Sequence, residues 1–151
     1  MNHQDILNEI GNSLGIELTF DEHQQCFVLL DEHLMMSLRS VDDAWILYGM
    51  LGRLGEDGQP KDIASSLLTL NLHLAESGGA SIAREASSNV LMLVLRVATA
   101  DMDGARMQAA LGDFVDALDS TLTAVNALLK PQAEQPSLAA FSKGPSIFDR
   151  A

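Results

Sequence analysis

The sequence predicts an α+β fold, a twisted antiparallel sheet of about five strands with three helices in the order α-β-β-β-α-β-β-α. Apolar residues repeat at helical spacing near both ends of the chain and once in the middle, and alternating apolar segments lie between them. The links between the first three of these segments are short enough to require antiparallel pairing. With 151 residues, the chain has the length of one domain.

The first helix is predicted from about residue 4 to Leu14, with Gly15 placed to end it. Its apolar residues recur at helical spacing and are Ile6, Leu7, Ile10 and Leu14. A first strand is predicted over 25–30, with Phe27 and Leu29 on one face and the remaining apolar residues, Cys26, Val28 and Leu30, on the other.

Two more strands complete a predicted meander. In the second strand Leu34, Met36 and Leu38 alternate with Met35, Ser37 and Arg39, and the third strand covers 44–51 with Trp45, Leu47 and Tyr48. Asp31-Glu32-His33 and Asp42-Asp43 are polar enough to form the two connecting turns.

The second half of the chain is predicted to contain a second helix and two more strands before the last helix. Pro60 opens a second helix that runs to about Glu76, after a glycine-rich loop over 52–60. Strands follow over 80–84 and 90–98, and the latter is apolar on both faces, as in a strand covered on both sides.

Asp101 is placed to cap a long last helix. The stripe of that helix comprises Met107, Leu111, Phe114, Val115, Leu118, Leu122, Val125 and Leu129. We therefore expect one domain over residues 1–130. Because residues 131–151 are rich in Pro, Ser, Gln and Ala, we expect them to form a flexible tail that is dispensable for folding.

Charge and composition exclude several classes of partner. The chain has 21 acidic and 9 basic residues, a formal net charge of -12, which disfavours nucleic acid and anionic membrane surfaces. We expect no membrane insertion, because no segment is long and apolar enough. The first residues lack the positive charge of a signal peptide, and the lone Cys26 can form no internal disulfide, so a bacterial cytoplasmic location is expected.

The sequence offers no strong catalytic, cofactor or metal signal. No two of its four histidines lie four residues apart on a predicted helix, and no phosphate loop or nucleophile elbow is present. The acid–histidine groups at residues 21–23 and 31–33 have the chemistry for acid–base work, but both fall at strand ends where polar turns are expected. Asp101-Met102-Asp103-Gly104 is too short for a calcium loop and fits an acidic helix start.

The second helix has two apolar stripes where a helix on a monomeric sheet needs one. Ile63, Leu67, Leu70 and Leu74 form the first, and Ala64, Leu68, Leu72 and Ala75 form the second. We expect the second stripe to form a homodimer contact together with the strand over 90–98; the alternative is that the last helix covers it. The predicted dimer residues are Leu68, Leu72, Val90, Met92 and Val94.

The first three strands also have more apolar positions than a helical cover needs. We expect some of them to line grooves for an extended partner, while an exposed strand edge adds backbone hydrogen bonds. For any single residue the core is the alternative, so a mixture is expected. The predicted partner-binding residues are Phe27, Leu29, Leu34, Met36 and Leu38, and Met35, Met36 and Met50 would make the grooves adaptable.

Taken in order, these features resemble the class I type III secretion chaperones of the Tir-chaperone family. The resemblance covers about residues 6–129, and it rests on size, acidity and five segments: Leu14-Gly15-Ile16, the approach over 20–30 into the first strand, Leu67-Leu68-Thr69-Leu70-Asn71, Gly78-Gly79-Ala80 and the strand over 90–95. It implies a homodimer that binds the extended N-terminal segment of a secreted effector and keeps it soluble and competent for secretion.

The resemblance further implies delivery of that cargo to the export apparatus, with the secretion ATPase as a candidate partner, and neither enzymatic activity nor a cofactor. Two other functions stay open. One is a non-secretory adaptor or regulator of similar fold that binds a folded partner. The other is a small enzyme that uses the acid–histidine turns, which requires a concave pocket around His23 or His33.

Overall fold

The structure, a computed structural model, describes residues 2–130. Its elements are α1 (His3–Leu14), β1 (Gln25–Leu30), β2 (Leu34–Val41), β3 (Ala44–Arg53), α2 (Ile63–Ser77), β4 (Ser81–Arg84), β5 (Val90–Ala98) and α3 (Gly104–Leu129). The predicted order of elements is confirmed. The predicted tail over 131–151 and its dispensability lie outside the described residues.

The five strands form one antiparallel sheet in the order β1-β2-β3-β5-β4. The first three strands are the predicted meander, and β5 pairs with β3, so β4 becomes an edge strand opposite β1. Among the described residues, α1 and α3 cover one face of the sheet, which we call the inner face, and α2 lies along β4.

Alternation along the strands decides which residues form the core. Leu38 of β2 pairs with Cys26 of β1 and with Leu47 of β3, and all three are buried on the inner face. Phe114 and Leu118 of α3 pack on the same side and are also fully buried. The core is therefore a single layer between the sheet and the two helices α1 and α3.

Trp45 joins α1 to the sheet. Its side chain is fully buried, and it meets Phe20 edge to face with 5.5 Å between the ring centroids. His3, at the start of α1, lies at 6.2 Å on the same ring, and its two ring nitrogens are hydrogen-bonded to the hydroxyls of Ser40 and Thr99. These contacts fix the amino end of α1 against β2 and the end of β5.

Two predicted helix starts are wrong. Pro60 does not open α2, because the Ile63 N–H donates to the Pro60 carbonyl in a turn and the helix begins only at Ile63. Asp101 does not cap α3, because it lies in the left-handed region with φ 55°. Asp103 is the cap, and its carboxylate accepts from the Arg106 N–H at 2.8 Å.

Other boundaries differ by small amounts. β3 extends two residues beyond the predicted Leu51, to Arg53, across a bulge in which Gly52 has φ 141°. β4 begins at Ser81 rather than Ala80, and α1 at His3. Gly15 ends α1 in the left-handed conformation, as predicted.

A matched pair of glycine substitutions tests the packing of α3 on β3. A Cβ on Gly49 would overlap the side chain of Leu118, so we expect Gly49→Ala to lower the free energy of unfolding by about 1–3 kcal/mol through overpacking. Gly112 lies within α3, and a Cβ there would meet no other side chain or element within 4 Å, so Gly112→Ala should raise the free energy of unfolding by about 1 kcal/mol through helix propensity. Urea unfolding measures both. Equal stability of Gly49→Ala and the native chain would contradict the described α3–β3 contact.

Candidate protein-binding site

The site begins at the edge strand β1, whose backbone groups alternate between β2 and solvent. The Ser40 N–H donates to the Gln24 carbonyl, so Gln24 is a hydrogen-bonded position of the β1–β2 ladder. Because such positions recur every second residue in an antiparallel pair, the backbone N–H and C=O groups of Cys26 and Val28 point toward β2. The N–H and C=O groups of Gln25, Phe27 and Leu29 therefore point away from the sheet.

A turn occupies the first of these outward positions. The Asp21 N–H donates to the Gln25 carbonyl at 2.8 Å, and the Gln25 N–H donates to Asp21 Oδ1 at 2.9 Å. The Gln25 N–H lowers the pKa of the Asp21 carboxyl, and the His23 N–H lowers it further. Within residues 2–130 the outward backbone groups of Phe27 and Leu29 have no hydrogen-bond partner. The open edge is therefore two residues long and is closed at one end by Asp21.

An apolar groove lies beside this edge on the inner face. It has a volume of about 360 Å³ and runs between α1 and α3, with Met36 and Leu38 as its floor. Leu14, which is 52% exposed, stands at its α1 wall. The other lining residues are Ile10, Leu18, Val28, Leu30, Gln108, Leu111, Gly112, Val115 and Asp116. The groove can take apolar side chains that approach from the β1 edge.

The opposite face of the sheet, which we call the outer face, is also apolar beside the same edge. Phe27 and Leu29 are 66% and 60% exposed there, and Met35 pairs with Leu29 and is exposed beside it. No helix among the described residues covers this part of the outer face. The open edge therefore separates two apolar surfaces, the groove on the inner face and the Phe27–Leu29–Met35 patch on the outer face.

The structure divides the five predicted partner-binding residues between these two faces. Leu34, Met36 and Leu38 are buried in the core layer, whereas Phe27 and Leu29 are exposed on the outer face. The five residues therefore do not form one surface, because Leu29 and Leu34 occupy opposite faces of the hairpin. The set is thus a mixture of core and exposed positions, in which Met36 and Leu38 form the floor of the groove, and its role in partner binding stays a prediction.

A second apolar surface lies at the other end of the sheet. Leu68 and Leu72 of α2 are 69% and 59% exposed, so α3 does not cover the second stripe. Asn71 of α2 is hydrogen-bonded to the β4 backbone, and at 100° per residue Leu68 and Leu72 lie to one side of it while the buried Leu67 lies to the other. Leu68 and Leu72 therefore face the same side as the outer face of the sheet.

The outer face of β5 continues this surface. Val90, Met92 and Val94 are only partly buried, because their side chains point away from α3. Within residues 2–130 the chain covers β5 on the inner side alone, so cover of the other side of this strand stays a prediction that depends on the expected dimer. All five predicted dimer residues are accessible and lie on one side of the sheet and α2.

The acid–histidine turns lie at the surface. The side chains of His23 and His33 are 74% and 57% exposed, so neither is enclosed as the hypothesis of a small enzyme requires. His33 contacts the Asp31 carbonyl through Nδ1 and Asp119 through Nε2, which links the β1–β2 turn to α3. In the same part of the chain no cluster of three potential metal ligands occurs. No helix described there is long and apolar enough to span a membrane.

Sequence reasoning missed the residues that shape the edges and the groove. Helical periodicity places Leu111 and Val115 in the core stripe of α3 and Leu14 on the apolar face of α1, and the crossing of the two helices that makes them line one groove leaves no local signal. The sequence predicts a turn at Asp21, and the position of Asp21 four residues before the first strand is the local signal for its hydrogen bonds to Gln25.

Comparison with known proteins supports the fold and identifies a family. The family model of the Tir chaperone protein (CesT) family matches residues 5–122. A Tir chaperone of Escherichia coli O157:H7 is 31% identical over 93 residues, which is 60% of this chain and 58% of the relative. A second Tir chaperone, from Escherichia coli, is 30% identical over the same length. The chain thus spans less than two thirds of the curated relatives it matches.

Solved structures with low sequence identity share the fold. The ExsC–ExsE complex matches with a TM-score of 0.69 at 18% identity, covering 88% of this chain and 99% of the matched chain. The HopA1–SchA chaperone–effector complex matches with a TM-score of 0.66 at 16% identity, covering 78% and 91%. The ExoU–SpcU complex from the type III secretion system of Pseudomonas aeruginosa matches with a TM-score of 0.64 at 18% identity, covering 85% and 98%.

The contact between His33 of the β1–β2 turn and Asp119 of α3 should depend on pH. The Asp31 carbonyl, and then the Asp119 carboxylate, raise the pKa of His33 above its ordinary value of 6.5. Because the folded-state pKa is raised, this contact stabilises the fold fully below the ordinary pKa and loses that effect as the pH rises through the folded-state pKa. We expect Asp119→Asn to lower the His33 pKa only in part, since the Asp31 contact remains.

Imidazole chemical shifts measured by NMR across the pH range test this expectation. Asp116→Asn, one turn away on α3 and outside the contact, is the control and should change the His33 titration less. An unchanged titration in Asp119→Asn would show that His33 and Asp119 are not in contact in solution.

Proposed function

We propose that this chain, which belongs to the Tir chaperone protein (CesT) family, is a type III secretion chaperone that binds the extended N-terminal region of a secreted effector. The observation that carries the proposal is the open β1 edge between two apolar surfaces. In this role the protein acts in the bacterial cytoplasm, keeps its cargo soluble and delivers it to the export apparatus, where the secretion ATPase is a candidate partner. It acts by binding, with neither catalysis nor a nucleotide.

An extended cargo segment would add a strand to β1. Its backbone would pair with the outward groups of Phe27 and Leu29, and the Asp21 turn would stop pairing beyond Gln25. Because side chains alternate along a strand, one set would enter the groove between α1 and α3 and the other would pack beside Phe27 and Leu29. The segment that fits is therefore short and apolar on both faces.

Backbone pairing alone is too weak to hold such a segment. A hydrogen bond contributes about 0.5–1.5 kcal/mol net, whereas ordering one residue costs about 1–2 kcal/mol. Burial of an apolar side chain contributes about 1.5–3 kcal/mol, so occupation of the groove must supply the balance. The backbone hydrogen bonds at the edge would therefore depend little on the cargo sequence, and the shape of the groove would determine which side chains are bound.

We also propose that the protein is a homodimer through α2 and the outer face of β5. Leu68 and Leu72 are the most exposed large apolar residues of α2, and Val90, Met92 and Val94 continue the surface on the same side. An exposed apolar surface favours burial against a second copy. Because two copies that each have a net charge of -12 repel one another, apolar contact rather than charge would hold the dimer together. The cargo edge at β1 lies at the opposite end of the sheet and stays accessible in such a dimer.

Replacement of one backbone N–H tests cargo binding at the edge. Leu29→Pro removes an outward N–H and keeps the β1–β2 ladder, whereas Leu29→Ala removes the side chain and keeps the N–H. We expect Leu29→Pro to weaken binding of the secreted protein that copurifies with the native chain by about tenfold or more, and Leu29→Ala to weaken it less. Calorimetry with the purified amino-terminal fragment of that protein measures both affinities.

A second pair addresses the groove in the same assay. Leu14→Asp places a charge at the groove wall, and Ile16→Asp places one at a similarly exposed site outside the groove. Leu14→Asp should weaken binding and Ile16→Asp should not. If Leu29→Pro and Leu14→Asp both bind as tightly as the native chain, cargo does not occupy this site, and tight binding of a folded partner would then favour an adaptor.

The dimer proposal is tested by charge on α2. We expect Leu68→Asp with Leu72→Asp to give a monomer, because an unpaired charge buried in an interface is costly. His73→Asp, at an exposed site of α2 that is about 100° or more around the helix from both leucines, is the control and should keep the native mass. Sedimentation equilibrium measures the masses, and a native chain that is monomeric at every concentration would contradict the proposal.

A further inference from the structure

The two edges of the sheet are not equivalent. At the edge opposite β1, the Ile82 N–H of β4 donates to Asn71 Oδ1 at 2.6 Å, and Asn71 Nδ2 donates to the Ile82 carbonyl at 3.2 Å. One side-chain amide thus pairs with both backbone groups of an edge residue, as a neighbouring strand would. No such pairing is present at Phe27 or Leu29 of β1 among residues 2–130.

The position of Ile82 makes this pairing important for the whole edge. The Glu85 N–H donates to the Val90 carbonyl, so the backbone N–H and C=O groups of Glu85, Ala83 and Ser81 point toward β5. Ile82 and Arg84 are then the residues of β4 whose backbone groups point outward. Since β4 has four residues, Asn71 occupies the outward pair in its interior and leaves only the pair at its end.

The same amide is also the main polar anchor of α2. Asp62 at the start of α2 makes no side-chain capping bond, and Leu67 is the residue of the helix that is buried. The hydroxyls of Thr69 and Ser77 bond to carbonyls within α2. Within the described residues, Asn71 therefore provides the side-chain hydrogen bonds that join α2 to the sheet.

We propose that Asn71 is a positioning residue that holds α2 on β4 and closes this edge to strand addition, so that the sheet can be extended only at β1. The partner it excludes is a second copy of this chain, whose open β1 edge would otherwise pair with β4. Such pairing joins unlike edges and does not close, so it would continue from copy to copy into open chains. The inference rests on the proposed function only for the role of β1 as the receiving edge.

The test is the association state of variants without any cargo. We expect Asn71→Ala to form species whose mean mass rises with concentration to about twofold or more above that of the native chain, as open-ended association requires. Thr69→Ala, on an exposed face of the same helix, should keep the native mass. Light scattering coupled to size exclusion measures the mass over a range of loading concentrations.

Two suppressors identify the edges involved. Leu29→Pro removes an outward N–H from β1, and Ile82→Pro removes one from β4, so either of them added to Asn71→Ala should restore the native mass. A native mass for Asn71→Ala would overturn the proposal. Growth that neither proline suppresses would overturn it as well, because the contact would then lie elsewhere.

Hydrogen exchange on the native chain keeps the proposal testable if Asn71→Ala does not fold. The Ile82 amide should exchange about tenfold or more slowly than the Arg84 amide, which also points outward from β4 but has no partner among the described residues. Equal exchange rates would overturn the proposal. The cargo-binding assay is independent of these measurements, so a failure of one proposal is distinguishable from a failure of the other.

Discussion

The register of β1 against β2 is the constraint on which the rest of the molecule depends. Cys26 pairs with Leu38, which sends Val28 and Leu30 toward the helices and leaves Phe27 and Leu29 on the outer face. A shift of one residue would exchange the two sets and place Phe27 in the core. The same register turns the backbone groups of Phe27 and Leu29 outward, so it determines the side chains and the hydrogen bonds of the edge together.

That constraint leaves the chain with more apolar surface than it can cover. α1 and α3 cover the inner face, but the outer face at both ends of the sheet has no cover among the described residues. Because of the net charge of -12, copies of the chain repel one another, so only a well-matched apolar contact such as that of the proposed dimer would outweigh this repulsion. A high net charge and exposed apolar surface are therefore compatible in one protein.

The division of the sheet into two ends separates the proposed interactions. The β1 end combines an open edge with a groove and fits a chain that is extended, whereas the α2 end has its edge occupied and presents a helix and a strand face. An extended chain needs backbone partners, and a folded copy needs a broad apolar face. The two proposed kinds of partner would therefore not compete for the same surface.

The sequence by itself determined the order of the elements, the faces of β1 and β2 and the presence of a second stripe on α2. These are local properties, since helical and strand periodicities are written in successive residues. It did not determine where α2 begins or which aspartate caps α3, although Pro60 and Asp101 both match the local sequence rules. Pro60 instead accepts the Ile63 N–H in a turn, and Asp101 adopts a left-handed backbone conformation. Boundaries of this kind depend on hydrogen bonds that the sequence pattern does not show.

Only the tertiary structure decided how the elements combine into a site. The sequence placed Leu34, Met36 and Leu38 among the binding residues, but the packing of α1 and α3 over the hairpin buries them and builds the groove above two of them. The strand order made β1 and β4 the two edges, and a contact eleven residues apart in sequence, between Asn71 and Ile82, closed one of them. Helix packing and strand order depend on which surfaces meet in space, and the periodicity of residues along the chain does not predict these contacts.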